Sequence, residues 1–163
     1  MAKSHRYAIR LKWTGNTGSG TSNYRGYGRQ HEISGEHEKP LIAGSADPVF
    51  RGDQNRWNPE ELLVASLSAC HQLWYLHLCA VAGIVVLDYS DNAEGFMEES
   101  DDGAGRFSRV ILRPNVTLAS GSDLSKALEL HELSRRKCFI ANSVNFPVTH
   151  ELQVKIAESR PSS

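Results

Sequence analysis

Hydrophobic and polar positions first alternate from Tyr7 to Trp13, YAIRLKW. Ile9, Leu11 and Trp13 fall on one face and Arg10 and Lys12 on the other, the pattern of a half-buried strand. TGNTGSGTS (14–22) is turn chemistry, and NYRGYGRQHEIS (23–34) then reads as a second strand, so an N-terminal hairpin is expected. EHEKPLIAGSADPVFRGDQNRW (36–57) shows no period, and so long a connection is usually either functional or disordered. The pattern changes at NPEELLVASLSACHQLWYLHLCAVAG (58–83), the longest apolar run. Asn58 is placed to cap a helix, Pro59 takes its first position, Glu61 completes a capping box and Gly83 marks the end.

Beyond it, Ile84 to Glu98 and Arg106 to Thr117 alternate around the acidic turn ESDDGAG, which predicts a second hairpin. Ser122 is placed to cap a second helix from Asp123 to about Lys137, with Leu124, Ala127, Leu128, Leu130 and Leu133 as its apolar face. CFIANSV (138–144) suggests a further helical turn and FPVTHELQVKI (146–156) a last strand. Hairpin, long helix, hairpin, helix, strand is an α+β order, and no repeat divides residues 1–163 into more than one domain.

Composition narrows the function. The net charge of −1, without a run of like charges, argues against nucleic acid or an anionic membrane as partner. Residues 62–83 raise the question of a membrane span, but Ser66, Ser68, His71, Gln72 and His77 interrupt them and favour a buried helix. The N-terminal residues carry no apolar stretch of signal-peptide length, and three cysteines do not make a disulfide framework. A cytoplasmic protein with reduced thiols is expected.

Those thiols carry the candidate chemistry. On a continuous helix Cys70 and Cys79, nine positions apart, point to roughly opposite faces about 13 Å apart along the axis, so they form no disulfide. The same geometry disfavours a metal site of Cys70, His71, His77 and Cys79, and no metal or organic cofactor is expected. Cys70 shares a mainly apolar stripe with Leu63, Ser66, Leu73, Trp74 and His77, so on its own it reads first as a small buried hydrophobe. Cys138 follows Arg135, Arg136 and Lys137 and stands where a short helix could open, two features that favour a thiolate.

Together these features are more specific. NPEELLVASLSAC (58–70) resembles the signature around the first cysteine of the OsmC/Ohr family, the osmotically induced and organic-hydroperoxide-resistance proteins. There an Asn-Pro-Glu opens the central helix and a reactive cysteine lies ten residues beyond the glutamate, here Glu60 and Cys70. Cys138, after a helix and before the final strand, matches the second cysteine, although CFIANS lacks the Cys-Pro often found there. The resemblance implies an OsmC-like fold as an intertwined homodimer, acting as a thiol-dependent peroxidase on organic hydroperoxides in an oxidative stress response. Cys70 would become a sulfenic acid, Cys138 would resolve it as a disulfide, and an external dithiol, such as a lipoylated protein, would reduce that disulfide.

Burial disfavours a thiolate, so a reactive thiol on an apolar stripe needs a cation nearby. The family supplies an arginine held by the glutamate matching Glu60. Its OsmC branch points to Arg51, with Arg56 near in register; its Ohr branch points to Arg25 or Arg29 in the first hairpin loop. Glu60 lies about 15 Å along the axis from Cys70 of its own chain, so the spacing predicts service to a partner's Cys70 across antiparallel helices. His71, 100° from Cys70, is read as packing and His77, two turns on, as packing or interface; the pocket is expected to be apolar, with Trp74, Tyr75, Trp57 and Phe50, and Phe139 and Phe146 near Cys138, as candidates for its wall although aromatic core is the commoner outcome. Two alternatives remain open: a non-catalytic redox sensor, and a structural homodimer with inert thiols.

Overall fold

The computed structural model describes residues 3–158. Two helices and nine strands form among them, and the chain divides into two compact units, residues 1–62 and 63–163.

In the first unit β1 (Ile9–Trp13) pairs antiparallel with β2 (His31–Gly35), which pairs antiparallel with β3 (Ile42–Gly44). The expected hairpin is present, but its second strand starts only at His31, because residues 23–30 fold into the connecting loop. Gly28 N–H donates to the Gly15 carbonyl at 2.8 Å and the Trp13 indole N–H to that of Gly28 at 2.8 Å. A Cβ on Gly15 would stand 1.9 Å from the Gly28 oxygen, so that closure needs glycine. The aperiodic 36–57 segment is built rather than disordered. It contains β3, a 3-10 turn at Pro48–Phe50 and a bridge from Gly44 to Trp57, and the buried Ser45 hydroxyl accepts from Asp53 N–H at 3.1 Å.

The long helix α1 (Pro59–Val81) begins as its sequence predicts. Glu61 N–H donates to Asn58 Oδ1 at 2.7 Å, and Asn58 N–H donates to the Glu61 carboxylate at 3.1 Å. A cap of this kind is worth about 1 kcal/mol. At the other end Gly83 takes φ 72°, and Ile84 and Gly83 N–H donate to Cys79 and Ala80 carbonyls, a Schellman closure.

The second unit departs from the sequence pattern in a regular way: each long strand breaks in two. Ile84–Glu98 becomes β4 (Val86–Asp91) and β5 (Glu94–Glu99); Arg106–Thr117 becomes β6 (Gly105–Leu112) and β7 (Pro114–Leu118). The last strand divides into β8 (Val148–His150) and β9 (Gln153–Ile156). The halves feed two three-stranded sheets, ordered β4-β7-β9 and β5-β6-β8, each with an antiparallel and a parallel pair. The breaks are stitched by polar groups that periodicity does not register. Asp91 accepts the Arg113 N–H at 2.6 Å, and the Arg113 side chain reaches Glu94 at 2.6 Å and Glu151 at 2.7 Å.

Helix α2 (Leu124–Lys137) is capped by Asp123, which accepts Lys126 N–H at 2.9 Å, and not by Ser122. Its buried residues are Ala127, Leu130, His131 and Ser134, whereas Leu124 and Leu128 are exposed. The further helical turn is a 3-10 turn at Ala141–Ser143. On α1 the fully buried stripe is Leu67, His71, Tyr75 and Cys79, one position away from the stripe expected through Cys70, and Leu73 stands exposed. Length and composition alone would let α1 cross a membrane. Its buried stripe instead enters two cores: Tyr75 and Cys79 with Val116, Leu118, Ala127 and Leu130, and Leu67 with Val110 and Leu112.

Candidate active site

Cys70 lies on α1 one position outside the buried stripe and is partly exposed; Cys138 is the buried C-cap of α2. The two thiols are neighbours, and both are reduced. Burial pushes the Cys138 thiol up to about 11, the adjoining Cys70 adding to that, while an N–H from Ala141 onto its sulfur at 3.4 Å opposes it. Of the two features expected to favour a Cys138 thiolate, the following turn does so through its Ala141 N–H, but burial outweighs it. Cys138 caps the helix before the turn begins, Arg135 is engaged by Glu132 at 2.9 Å, and desolvation dominates. Cys79 is fully buried against Tyr75, and burial raises it as well.

Aromatic side chains flank the pair. Trp74, one turn beyond Cys70, meets Phe139, the residue after Cys138, edge to face at 5.4 Å between centroids. Lys137 lies over the Trp74 ring at 5.4 Å, and exposed His77 meets that ring edge to face at 5.9 Å. Tyr75 belongs to the core and not to this wall. Phe146 packs on Phe107.

The arginine candidates differ in what they already do. Arg29 stacks on Tyr27 at 4.0 Å and Tyr24 at 4.8 Å and donates to both of their carbonyls, so it is a structural clasp for the hairpin loop. Arg56 pairs with Asp53 at 3.7 Å. Arg51 closes the 3-10 turn in the left-handed region at φ 66°, an unusual place for a non-glycine residue, with its side chain exposed. Glu60 is partly buried in the first turn of α1. No group of His, Cys, Asp and Glu among the described residues is arranged to hold a metal ion.

One feature escaped the sequence reading. Buried His71, next to Cys70, meets buried His131 of α2 and partly exposed His150 of β8, with His71 Nε2 and His131 Nδ1 3.1 Å apart. His150 lies 4.6 Å from the His71 ring and 5.3 Å from that of His131. Desolvation first and neighbouring positive groups second hold His71 and His150 down to about 3, and His131 is lowered too. The signal was the position of His131 four residues after Ala127 and three before Ser134, visible only once the inward face of α2 is known.

The OsmC-like protein family model matches residues 52–153, most of the chain. The chain belongs to the OsmC-like family. An OsmC-like protein of unknown function from Vibrio cholerae superposes with a TM-score of 0.83 at 29% identity, covering 92% of this chain and 100% of its own. The organic hydroperoxide resistance protein of Elizabethkingia anophelis gives 0.65 at 18% identity over 95% and 100%. Bacillus subtilis OhrB, also an organic hydroperoxide resistance protein, gives 0.62 at 18% over 93% and 98%. No curated protein matches the sequence. The OsmC-like motif at residues 58–70 thus sits on an OsmC-like fold, and its helix presents Cys70 beside Cys138.

Proposed function

We propose that this OsmC-like protein is a thiol-dependent peroxidase that reduces organic hydroperoxides. The observation that carries the reading is the pairing of a partly exposed thiol, Cys70, with a buried neighbour, Cys138, whose pKa burial raises. Cys70, as thiolate, attacks the terminal peroxide oxygen; the O–O bond breaks, the alkoxide takes a proton and leaves as the alcohol, and sulfur becomes a sulfenic acid. Cys138 then attacks that sulfur, water departs and a disulfide forms. A dithiol reductant returns both thiols and leaves as its own disulfide.

A resolving thiol held protonated suits this order, because it does not compete for peroxide. Trp74 and Phe139 offer apolar surface to the alkyl body of the substrate. Arg51 is the cation assigned to the thiolate, supported by its unusual backbone conformation. Glu60 holds that arginine in the site of a second subunit, so the working form is a homodimer. The place of work is the cytoplasm.

Turnover tests the reading. Wild-type protein with dithiothreitol should consume many equivalents of cumene hydroperoxide, and Cys70→Ser none. Cys138→Ser should accumulate a Cys70 sulfenic acid that dimedone traps. A sensor would oxidise once and stop; wild-type turnover in Cys70→Ser would sink the mechanism.

A further inference from the structure

We propose that the His71–His131–His150 cluster is a positioning device for the thiol pair, which holds Cys70 against Cys138 while its rings are packed and neutral and releases them as acid favours an opened, protonated state. The inference rests on reading Cys70 and Cys138 as a redox pair.

Geometry carries it. The turn of α1 that supplies Cys70 also supplies His71. The last two turns of α2 run from His131 to Cys138, whose N–H donates to the carbonyl of buried Ser134 at 2.9 Å. The contact of His71 with His131 at 3.1 Å therefore sets the register of one thiol-bearing element on the other. His150 backs both rings from β8, itself fixed by parallel pairing of His150 with Leu112 on β6.

The contact needs one nitrogen to donate and one to accept, which two neutral imidazoles supply and two imidazolium rings cannot. Little around the cluster accommodates positive charge. From α1 Tyr75 faces it, and from β4 Tyr89 stands behind Tyr75; both are phenols kept neutral by burial. From α2 come Arg135, which adds positive potential, and Glu132, a carboxylate already paired with Arg135 at 2.9 Å. His71 Nδ1 and His150 Nδ1 are buried without a hydrogen-bond partner, so neither has an acceptor for an added proton. Solvent reaches the cluster from one side: His150, with Glu132, Arg135, Arg136, Ala141 and Val148, lines a surface cavity of about 310 Å³.

The test is the equilibrium between this dithiol and oxidised dithiothreitol. The two thiols form S–S, and their two hydrogens pass to the reagent, which becomes its reduced dithiol. It is measured on the full chain between pH 7.5 and 5, from both directions, with far-UV circular dichroism recording the fold. The control is His71→Gln combined with His131→Asn, which puts carboxamides near the paired nitrogens but adds no titrating group. Rings freed by opening take protons near the ordinary 6.5 that the packed rings refuse until about 3, so wild type should lose at least about tenfold in the equilibrium constant over that range, and the amide pair less than about threefold. His71→Leu should be weakened already at pH 7.5. Should the variants fail to fold, the wild-type profile decides, since a constant that does not change with pH overturns the proposal. So do parallel profiles for wild type and the amide pair. If Cys70 and Cys138 form no disulfide at any pH, the peroxidase reading falls with it; if they form one indifferent to histidine state, this inference alone falls.

Discussion

Cys70 and Cys138, brought together from α1 and the end of α2, are adjacent thiols of unequal exposure, while Cys79 on the same helix as Cys70 is sealed behind Tyr75. One equivalent of cumene hydroperoxide should therefore join Cys70 to Cys138 and leave Cys79 a free thiol. Peptide mapping after alkylation reads this directly. A disulfide that includes Cys79, or labelling of Cys79 before denaturation, contradicts the arrangement.

With Arg51 as the cation proposed for the Cys70 thiolate, its substitution should separate activity from stability. Its φ of 66° suits glycine, so Arg51→Gly should leave the fold as stable or stabilise it by about 1 kcal/mol. The same change should lower kcat/KM toward hydroperoxide by about 100-fold, the usual effect of removing one preorganised electrostatic partner. Arg25→Ala should stay near wild type. Arg29→Ala should instead destabilise the hairpin loop, because the guanidinium binds two carbonyls and two tyrosine rings. Thermal melts beside steady-state kinetics distinguish the three.

The aromatic wall predicts substrate preference. Phe139 is 67% exposed although it contacts Trp74, which leaves its surface free for an apolar ligand. Phe139→Ala and Trp74→Ala should each raise KM for cumene hydroperoxide by up to about tenfold, the scale of one lost aromatic contact. Hydrogen peroxide, with no alkyl body, should be affected far less. Equal losses for both peroxides would remove the wall from the substrate site.

Acid should destabilise the second unit in a defined window. His71 and His150 are held down to about 3 in the fold, against an ordinary value near 6.5, so the unfolded chain takes up protons first. The stability these groups contribute is complete above about pH 6.5 and is lost as pH falls toward 3. The slope reaches about 1.4 kcal/mol per pH unit for each buried histidine. Urea midpoints at pH 7, 5.5 and 4.5 should fall accordingly, and His71→Gln should flatten the decline. A midpoint unchanged between pH 7 and 4.5 would show that the cluster is not buried neutral.

Local signals in the sequence sufficed for both ends of α1, although the start of α2 is capped by Asp123 and not by the expected Ser122. Asn58, Pro59, Glu61 and Gly83 set both ends of α1 through hydrogen bonds spanning a few residues, and the Asn-Pro-Glu to Cys70 spacing marked the family. Alternation found the strands but not their breaks. The turns at residues 92–93 and at Arg113 depend on Asp91, Glu94 and Glu151 meeting that one arginine, and pairs so distant leave no trace in a period.

The inward face of each helix was the other failure. On α1 it passes through Leu67, His71, Tyr75 and Cys79, and on α2 through His131 and Ser134, so polar residues occupy positions that a hydrophobicity pattern assigns to the outside. They can do so because they bond to one another or to backbone once packed, as His71 does with His131 and Ser134 with the Leu130 carbonyl. The sequence by itself determined the two helices, the cap of α1 and the thiol chemistry on offer. Only the tertiary structure decided which thiol is buried, which is partly exposed, and that three histidines meet at the residue next to Cys70, because burial is a property of what packs on a residue and not of the residue's own neighbours in the chain.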